Sequence, residues 1–371
     1  METAGGTKDQ PTGRTVILTD RVFQESPHRL TCASFSRFLR VKRDIVNPSY
    51  LFWYLQYLYN QGEMYQYHLQ HTGVARFQYT QFATNQRVNI PSSSVQFQIV
   101  STLNTLEDKI ELNRRMNETL EAMARAIFKD WFVDFGPTRA KMEGRAPYLA
   151  PDIWSLFPDR LDDEGKPEGW QYGKVYDIGK VICGKTPPTN TPKYYGDDLP
   201  FITIPDMHSK IFVLTSSKNL SASGAAYQSN KTLPKGAICV SCIATPGLVI
   251  ITTKPSQTNQ QINSVIPSNA EETFYWYWIL KNLGEIIRQG GSGGSVLSNL
   301  NTSRFSNLDI FGASNKMRRL YHKYAFSFFY RIQANEEESL ALIAIRDFLL
   351  PKLMSGEIRV KDAEKASEMI L

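Results

Sequence analysis

The chain has 371 residues, 42% hydrophobic and 21% charged, enough apolar mass for two or three cores and too much for wholesale disorder. Four cysteines give no disulfide framework, which points to a reducing, cytoplasmic setting; no apolar run approaches a membrane span, and the first twenty residues lack the apolar block of a signal peptide. The net charge of +6 is spread as +4 over residues 1–95, −4 over 96–170, +4 over 171–315 and +2 over 316–371, so two mildly basic blocks flank an acidic spacer, and basic blocks suit a polyanion.

The first block, 1–95, places Arg37, Arg40, Lys42 and Arg43 on both faces of an extended stretch, with Arg76 following Gly73 in a loop. The aromatic run Tyr50-Leu51-Phe52-Trp53-Tyr54-Leu55 and a short apolar strand, Val88-Asn89-Ile90, complete it. Residues 96–136 make the central helical segment, with the 35 residues 97–131 as its clearest helix. Ile99, Leu103, Leu106, Ile110, Leu120, Ala124 and Ile127 recur in steps of four and three, the coiled-coil period, and Asn113 and Asn117 complete the series. No Gly or Pro interrupts 95–135, and Gly136-Pro137 stops the helix. At 1.5 Å per residue the rod is roughly 50 Å long. The two asparagines on the seam are expected to fix register. Phe128, Trp131 and Phe132 cluster at one end as expected anchors for a partner protein.

Residues 137–170, rich in Pro, Gly and Asp, read as a linker. The second block, 171–315, reads as short strands at 175–182, 200–204, 237–243, 248–252 and 262–266, then an aromatic helix at 275–283 and a glycine-rich turn at 290–294. A second long helix is expected over 316–353, kinked or ended by Pro351, with a polar tail to residue 371.

The two halves repeat. Glu118-Thr119-Leu120 recurs as Glu338-Ser339-Leu340, and the same offset of 220 pairs Val88-Asn89-Ile90 with Leu308-Asp309-Ile310, and Gly73 with Gly293. With a four-residue shift the aromatic run meets Phe274-Tyr275-Trp276-Tyr277-Trp278-Ile279. The expected fold is therefore α+β: two mixed α/β blocks separated by two long helices that are natural coiled-coil partners for each other, in a pseudo-twofold internal repeat. The first block is incomplete. It has about 95 residues before its helix, against about 145 in the second, and lacks the counterpart of 171–230.

A search for catalysis finds no residues to carry it. His28, His68, His71, His208 and His322 form no metalloprotease motif and have no evident nucleophile partner. Cys239 and Cys242 make a lone CxxC within a strand-like run, and structural zinc needs four ligands. No catalytic residue, metal or cofactor is expected.

Amide side chains pair with adenine in the major groove, and Lys or Arg with guanine. Asn259-Gln260-Gln261 precede the last strand; Lys185, Thr186 and Asn190 lie in a rigid Pro-rich loop; Thr245 sits in a tight turn; Arg40, Arg43 and Arg76 represent the first block. Singly, each is as readily a turn or a solvated face. Together they suggest two readers held apart by a rod. The residues alone leave open a coiled-coil adaptor that binds only proteins.

Leu106-Glu107-Asp108-Lys109-Ile110-Glu111-Leu112-Asn113, Ala126-Ile127-Phe128-Lys129-Asp130-Trp131-Phe132-Val133-Asp134-Phe135 and Leu349-Leu350-Pro351-Lys352-Leu353-Met354-Ser355-Gly356-Glu357-Ile358 resemble the specificity subunit of type I restriction-modification systems. Gly184-Lys185-Thr186-Pro187 followed by Tyr194-Tyr195, and Thr258-Asn259-Gln260-Gln261, resemble segments of its target-recognition domains more loosely. The resemblance covers most of the chain. It implies two target-recognition domains, each reading half of a bipartite double-stranded DNA site, and two long antiparallel helices, forming a coiled coil, that hold the domains apart and dock methyltransferase subunits. It further implies restriction/translocase subunits as partners, and no active site, cofactor or membrane. The Gly-Thr-Pro opening is absent before residue 50, so the first domain is expected to be partial, and the main alternative is a truncated or orphan relative whose helices still assemble but whose DNA reading is impaired.

Overall fold

A computed structural model describes residues 1–7, 10–70, 74–291 and 300–360. Four helices carry the architecture: α1 (Pro48–Asn60), α2 (Ser93–Phe132), α3 (Thr273–Gly291) and α4 (Asn315–Ser355). The chain divides into two compact units, Met1–Asn113 with Glu338–Leu371, and Arg114–Glu337, so the division falls within both α2 and α4.

In the first unit, α1 starts where Asn47 accepts the N–H groups of Ser49 and Tyr50, with Pro48 pre-set for the first turn. It buries Tyr50, Trp53, Tyr54, Leu55 and Leu58. These pack with Ile99, Val100 and Leu103 from the start of α2 and with Ile345, Leu349, Leu350 and Leu353 from the end of α4. The two long helices run antiparallel here. Asn113 Nδ2 donates to Glu338 Oε2 at 2.8 Å and to Ser339 Oγ at 3.3 Å, and Arg346 meets Glu107 at 2.7 Å. The sheet of this unit is small: β1 (His68–Leu69) pairs with β2 (Arg76–Phe77), and residues 2–4 bridge both Ser36 and Arg76.

Among the described residues the second unit holds ten strands: β3 (Gln171–Lys174), β4 (Gly179–Cys183), β5 (Tyr195–Ile202), β6 (Phe212–Val213), β7 (Asn219–Leu220), β8 (Ile238–Ser241), β9 (Val249–Thr252), β10 (Gln257–Thr258), β11 (Ile262–Pro267) and β12 (Asp309–Gly312). They form a five-stranded sheet in the order β4-β11-β8-β9-β6, a three-stranded sheet β10-β5-β7, and the pair β12-β3. The core strands β8 and β9 are buried at every position, so their sequence is a continuous apolar run rather than an alternation. Against them pack Tyr275, Tyr277, Trp278 and Leu280 of α3, the end of α2 and the start of α4. Tyr321 donates its hydroxyl to the Ala124 carbonyl at 2.9 Å, and Asn335 Nδ2 donates to Asn117 Oδ1 at 2.8 Å.

The repeat is thus visible as an exchange of parts. In the first unit an aromatic helix rests on the start of α2 and the end of α4; in the second, its counterpart rests on the start of α4 and the end of α2. Four expectations are corrected. Val88-Asn89-Ile90 forms no strand; its backbone instead accepts the Tyr50 hydroxyl, at Asn89. The run 175–182 is not one strand: Asp177 caps the Lys174 N–H, a one-turn helix Val175–Ile178 follows, and only then does β4 begin. Pro351 does not end α4, which runs on to Ser355, because Leu349, Leu350, Leu353 and Met354 are buried on both sides of it. The stretch read as a linker carries two short helices, Gly136–Met142 and Pro151–Trp154, and sends Ile153 and Phe157 into the core.

Phe128, Trp131 and Phe132 are corrected as well. They are 2%, 4% and 6% exposed, and so are not surface anchors in this chain. Phe132 lies edge-on to Tyr275 at 4.9 Å, and Trp131 to Phe157 at 5.3 Å. The apolar face that resembled a docking site is filled from within the unit. Gly73, His71, Gly293 and residues 292–294 of the glycine run lie outside the described residues.

Candidate nucleic-acid interface

The register of the five-stranded sheet gathers three loops. β11 begins at Ile262, opposite Ser241 at the end of β8, and its Asn263 lies opposite Cys183 at the end of β4. The loop after β4, the turn after β8 and the run before β11 therefore leave the same end of the sheet. Backbone bonds tie them closely: Lys185 N–H donates to Thr258 O at 2.9 Å, Gly184 N–H to Ile262 O at 3.1 Å, and Cys242 N–H to Gln261 O at 2.9 Å. The approach at Gly184 is so close that a side chain there would collide with the carbonyl oxygens of Thr258 and Asn259.

This end collects most of the second block's expected readers. Thr186 Oγ1 donates to Gln260 Oε1 at 2.6 Å. Asn259 Oδ1 accepts the Gln261 N–H at 3.1 Å, and its Nδ2 donates to Gln261 Oε1 at 2.9 Å, so the run is folded on itself as an Asx turn. Lys185 and Gln260 are exposed, while Thr186, Asn259 and Gln261 are half-buried. Thr245 is exposed on the neighbouring turn, where its carbonyl accepts the Ser241 hydroxyl at 2.6 Å. Asn190 is exposed further along the Lys185 loop.

Beside these residues lies a cluster that sequence reading missed. Lys185 Nζ sits 5.2 Å over the Tyr227 ring, Lys193 Nζ sits 5.6 Å over the Tyr194 ring, and the two tyrosine rings are 4.8 Å apart. The helix Ala222–Tyr227 is clamped to this place because Ser221 and Ser223 hydroxyls both donate to the Lys193 carbonyl, at 2.5 and 2.7 Å. Tyr194 followed the Pro-rich loop closely enough to be noticed. Tyr227 lies in a six-residue Ala-rich helix that carries no motif. Beneath the loops, Gln228 and Gln257 are buried and bonded to one another.

The arrangement offers amide donors and acceptors, hydroxyls, ammonium groups and paired aromatic rings: the chemistry of base and phosphate recognition. It offers no proton-transfer pair. Burial pushes the Cys239 thiol up to about 12 and the Cys242 thiol up to about 11, which leaves both unreactive. Among the described residues no group of three or more His, Cys, Asp or Glu side chains could hold a metal, and no helix is long and apolar enough to cross a membrane.

In the first unit, Arg40 and Arg43 are exposed in the stretch before α1, and Arg76 is exposed on β2, not in a loop. The nearby Arg37 guanidinium lies 4.7 Å over the Tyr79 ring.

A family model for the type I restriction modification DNA specificity domain matches residues 8–122 and 167–311. The chain is 40% identical over 315 residues to the type I restriction enzyme HindI specificity subunit of Haemophilus influenzae, covering 73% of this chain and 69% of that protein. It is 27% identical over 316 residues to the MjaIX specificity subunit of Methanocaldococcus jannaschii, covering 83% and 69%. Its fold is similar to the crystal structure of a type I restriction-modification S subunit from M. genitalium, with a TM-score of 0.51 at 14% identity, over 83% of this chain and 73% of that one.

Proposed function

Because the chain belongs to the family of type I restriction-modification DNA specificity domains, and is a non-catalytic specificity subunit of such a system, we propose that the loop-bearing end of its five-stranded sheet reads one half of a bipartite DNA target. The observation that carries this is the joining, at one sheet end, of Lys185 to Thr258 and of Thr186 to Gln260, which sets the Lys185 loop against the run that holds Asn259 and Gln261. A bidentate amide–adenine contact is worth about 1–3 kcal/mol of discrimination. Tyr194, Tyr227 and Lys193 flank the readers as phosphate and sugar contacts. Asn190 and Thr245 extend the same surface.

The proposed division assigns residues 1–95 and 171–315 to two target-recognition domains, 96–136 and 316–371 to the helices between them, and 137–170 to a connection. Arg40, Arg43 and Arg76 contact phosphates in the first domain. Asn113 and Asn117 set the register of the paired helices. The exposed helix faces dock DNA methyltransferase subunits, to which restriction/translocase subunits add. On α4, Phe326 is 52% and Tyr330 66% exposed, and these replace the buried Phe128, Trp131 and Phe132 as the anchors of that surface.

The test is the methylome of a host carrying this system. A bipartite motif should vanish when the gene is deleted, and the double substitution Gln260→Ala with Gln261→Ala should relax one half of that motif only. An assembled complex that shows no salt-dependent affinity for DNA would leave the chain as a protein-only adaptor.

A further inference from the structure

We infer that Gln228 and Gln257, neither of which reaches the surface, are positioning residues for target specificity: they hold the Lys185 loop, the helix that carries Tyr227 and the 259–261 run together as one reading surface. The inference rests on the reading that this sheet end contacts DNA.

Gln228 is 3% exposed and Gln257 0%. Gln228 Nε2 donates to the Lys185 carbonyl at 2.7 Å and to Gln257 Oε1 at 2.8 Å. Gln257 Nε2 donates to the Ala225 carbonyl at 3.0 Å and to Thr232 Oγ1 at 2.9 Å. Each bond crosses to a different segment. Gln257 opens β10, which leads directly into Asn259, and Ala225 belongs to the helix that ends at Tyr227. The two amides therefore fix the height of the Lys185 backbone over the 257–261 segment and the place of the Tyr227 helix beside it.

Stability alone would not select this pair. Burying an amide costs free energy unless its donors and acceptors are all met, and Gln228 Oε1 has no hydrogen-bond partner among the described residues. Apolar side chains of the same volume at both positions would fill the space without burying that unmet acceptor, though the Lys185 and Ala225 carbonyls would then lose their donors. Amides supply direction: N–H bonds to chosen carbonyls admit one loop position, whereas apolar contact lets segments slide. Direction matters at this place because amide–base hydrogen bonds weaken steeply away from linear geometry.

The experiment measures binding of the complex assembled with methyltransferase subunits to duplexes bearing the mapped target, with each base pair of each half-site replaced in turn. Gln228→Met and Gln257→Met should each lose about tenfold of the discrimination at one half-site, the span of a single mismatched base pair. Discrimination at the other half-site and methyltransferase capture should stay near wild type, while the melting temperature falls by a few degrees because the Lys185 and Ala225 carbonyls lose their donors. Gln260→Ala with Gln261→Ala is measured alongside. If that control relaxes a half-site while the folded Met variants keep full discrimination, the positioning role is overturned and the DNA reading survives. If neither relaxes, the DNA reading of this sheet end fails and the inference with it. If the Met variants do not fold, Thr232→Val, which removes one acceptor at constant shape, decides: relaxed discrimination supports the role and unchanged discrimination overturns it.

Discussion

Glu336 on α4 shows how a single side chain can carry a pH dependence. Burial pushes its carboxyl up to about 7; Glu121 and Glu337 push the same way, and Lys210 opposes them. Between the unfolded value near 4.5 and the folded value the native state holds a proton that the unfolded state releases. Its contribution to stability is thus present at low pH and lost as pH rises through 7. Glu336→Gln should stabilise the fold at pH 8 by on the order of 2 kcal/mol and so raise the melting temperature there, and the gain should shrink toward pH 5. Thermal unfolding of both proteins across that range checks the sign; an equal gain at both ends would refute it. Trp131 is a simpler case. With rings of Phe157, Tyr324 and Tyr321 around it, Trp131→Ala should cost about 3–5 kcal/mol in chemical denaturation. The sequence displayed three clustered aromatic residues but not which of two faces they fill, because burial depends on what another segment brings against them.

The long helices were the most legible elements. Apolar spacing, the absence of Gly and Pro and the Gly136-Pro137 stop located α2 to within four residues of its observed start. Asn113 and Asn117, expected on the seam, meet α4 in both units, through Glu338 and Ser339 in one and through Asn335 in the other. A double-mutant cycle of Asn117→Ala and Asn335→Ala should return a coupling of about 1 kcal/mol, and a value near zero would mean that this bond contributes nothing to helix pairing. The short elements were less legible. The run 175–182 has strand composition throughout, yet Asp177 turns its first half into a helix by satisfying one backbone N–H. One local hydrogen bond outweighs a weak strand propensity over four residues.

At the scale of the whole molecule the two units are unequal. The second builds a five-stranded sheet beneath its loops, while the described residues of the first pair only two short strands. An assembled complex of this chain should therefore protect one half-site strongly and the other weakly in footprinting; equal protection would show that the small unit is a compact reader in its own right. Charge should act separately from sequence. Lys193→Ala should weaken binding to all duplexes alike and lower the slope of log affinity against log salt by about 1. A slope that does not change would remove the Lys193 ammonium group from the phosphate contacts.

What the sequence by itself determined is whatever depends on neighbours along the chain: two long helices, an aromatic run in each half and the helix that the second one forms, the duplication, and loops rich in amides and lysine. These are set by period, propensity and composition, and they require no knowledge of packing. What only the tertiary structure decided depends on residues far apart in sequence. It joined 184–186 to 258–262, brought Tyr227 against Lys185 and Tyr194, and buried Gln228 and Gln257 beneath them. It also turned Phe128, Trp131 and Phe132 inward. The physical reason is that a face is apolar or polar by local composition, but whether it is a core or a surface is settled by the partner that covers it.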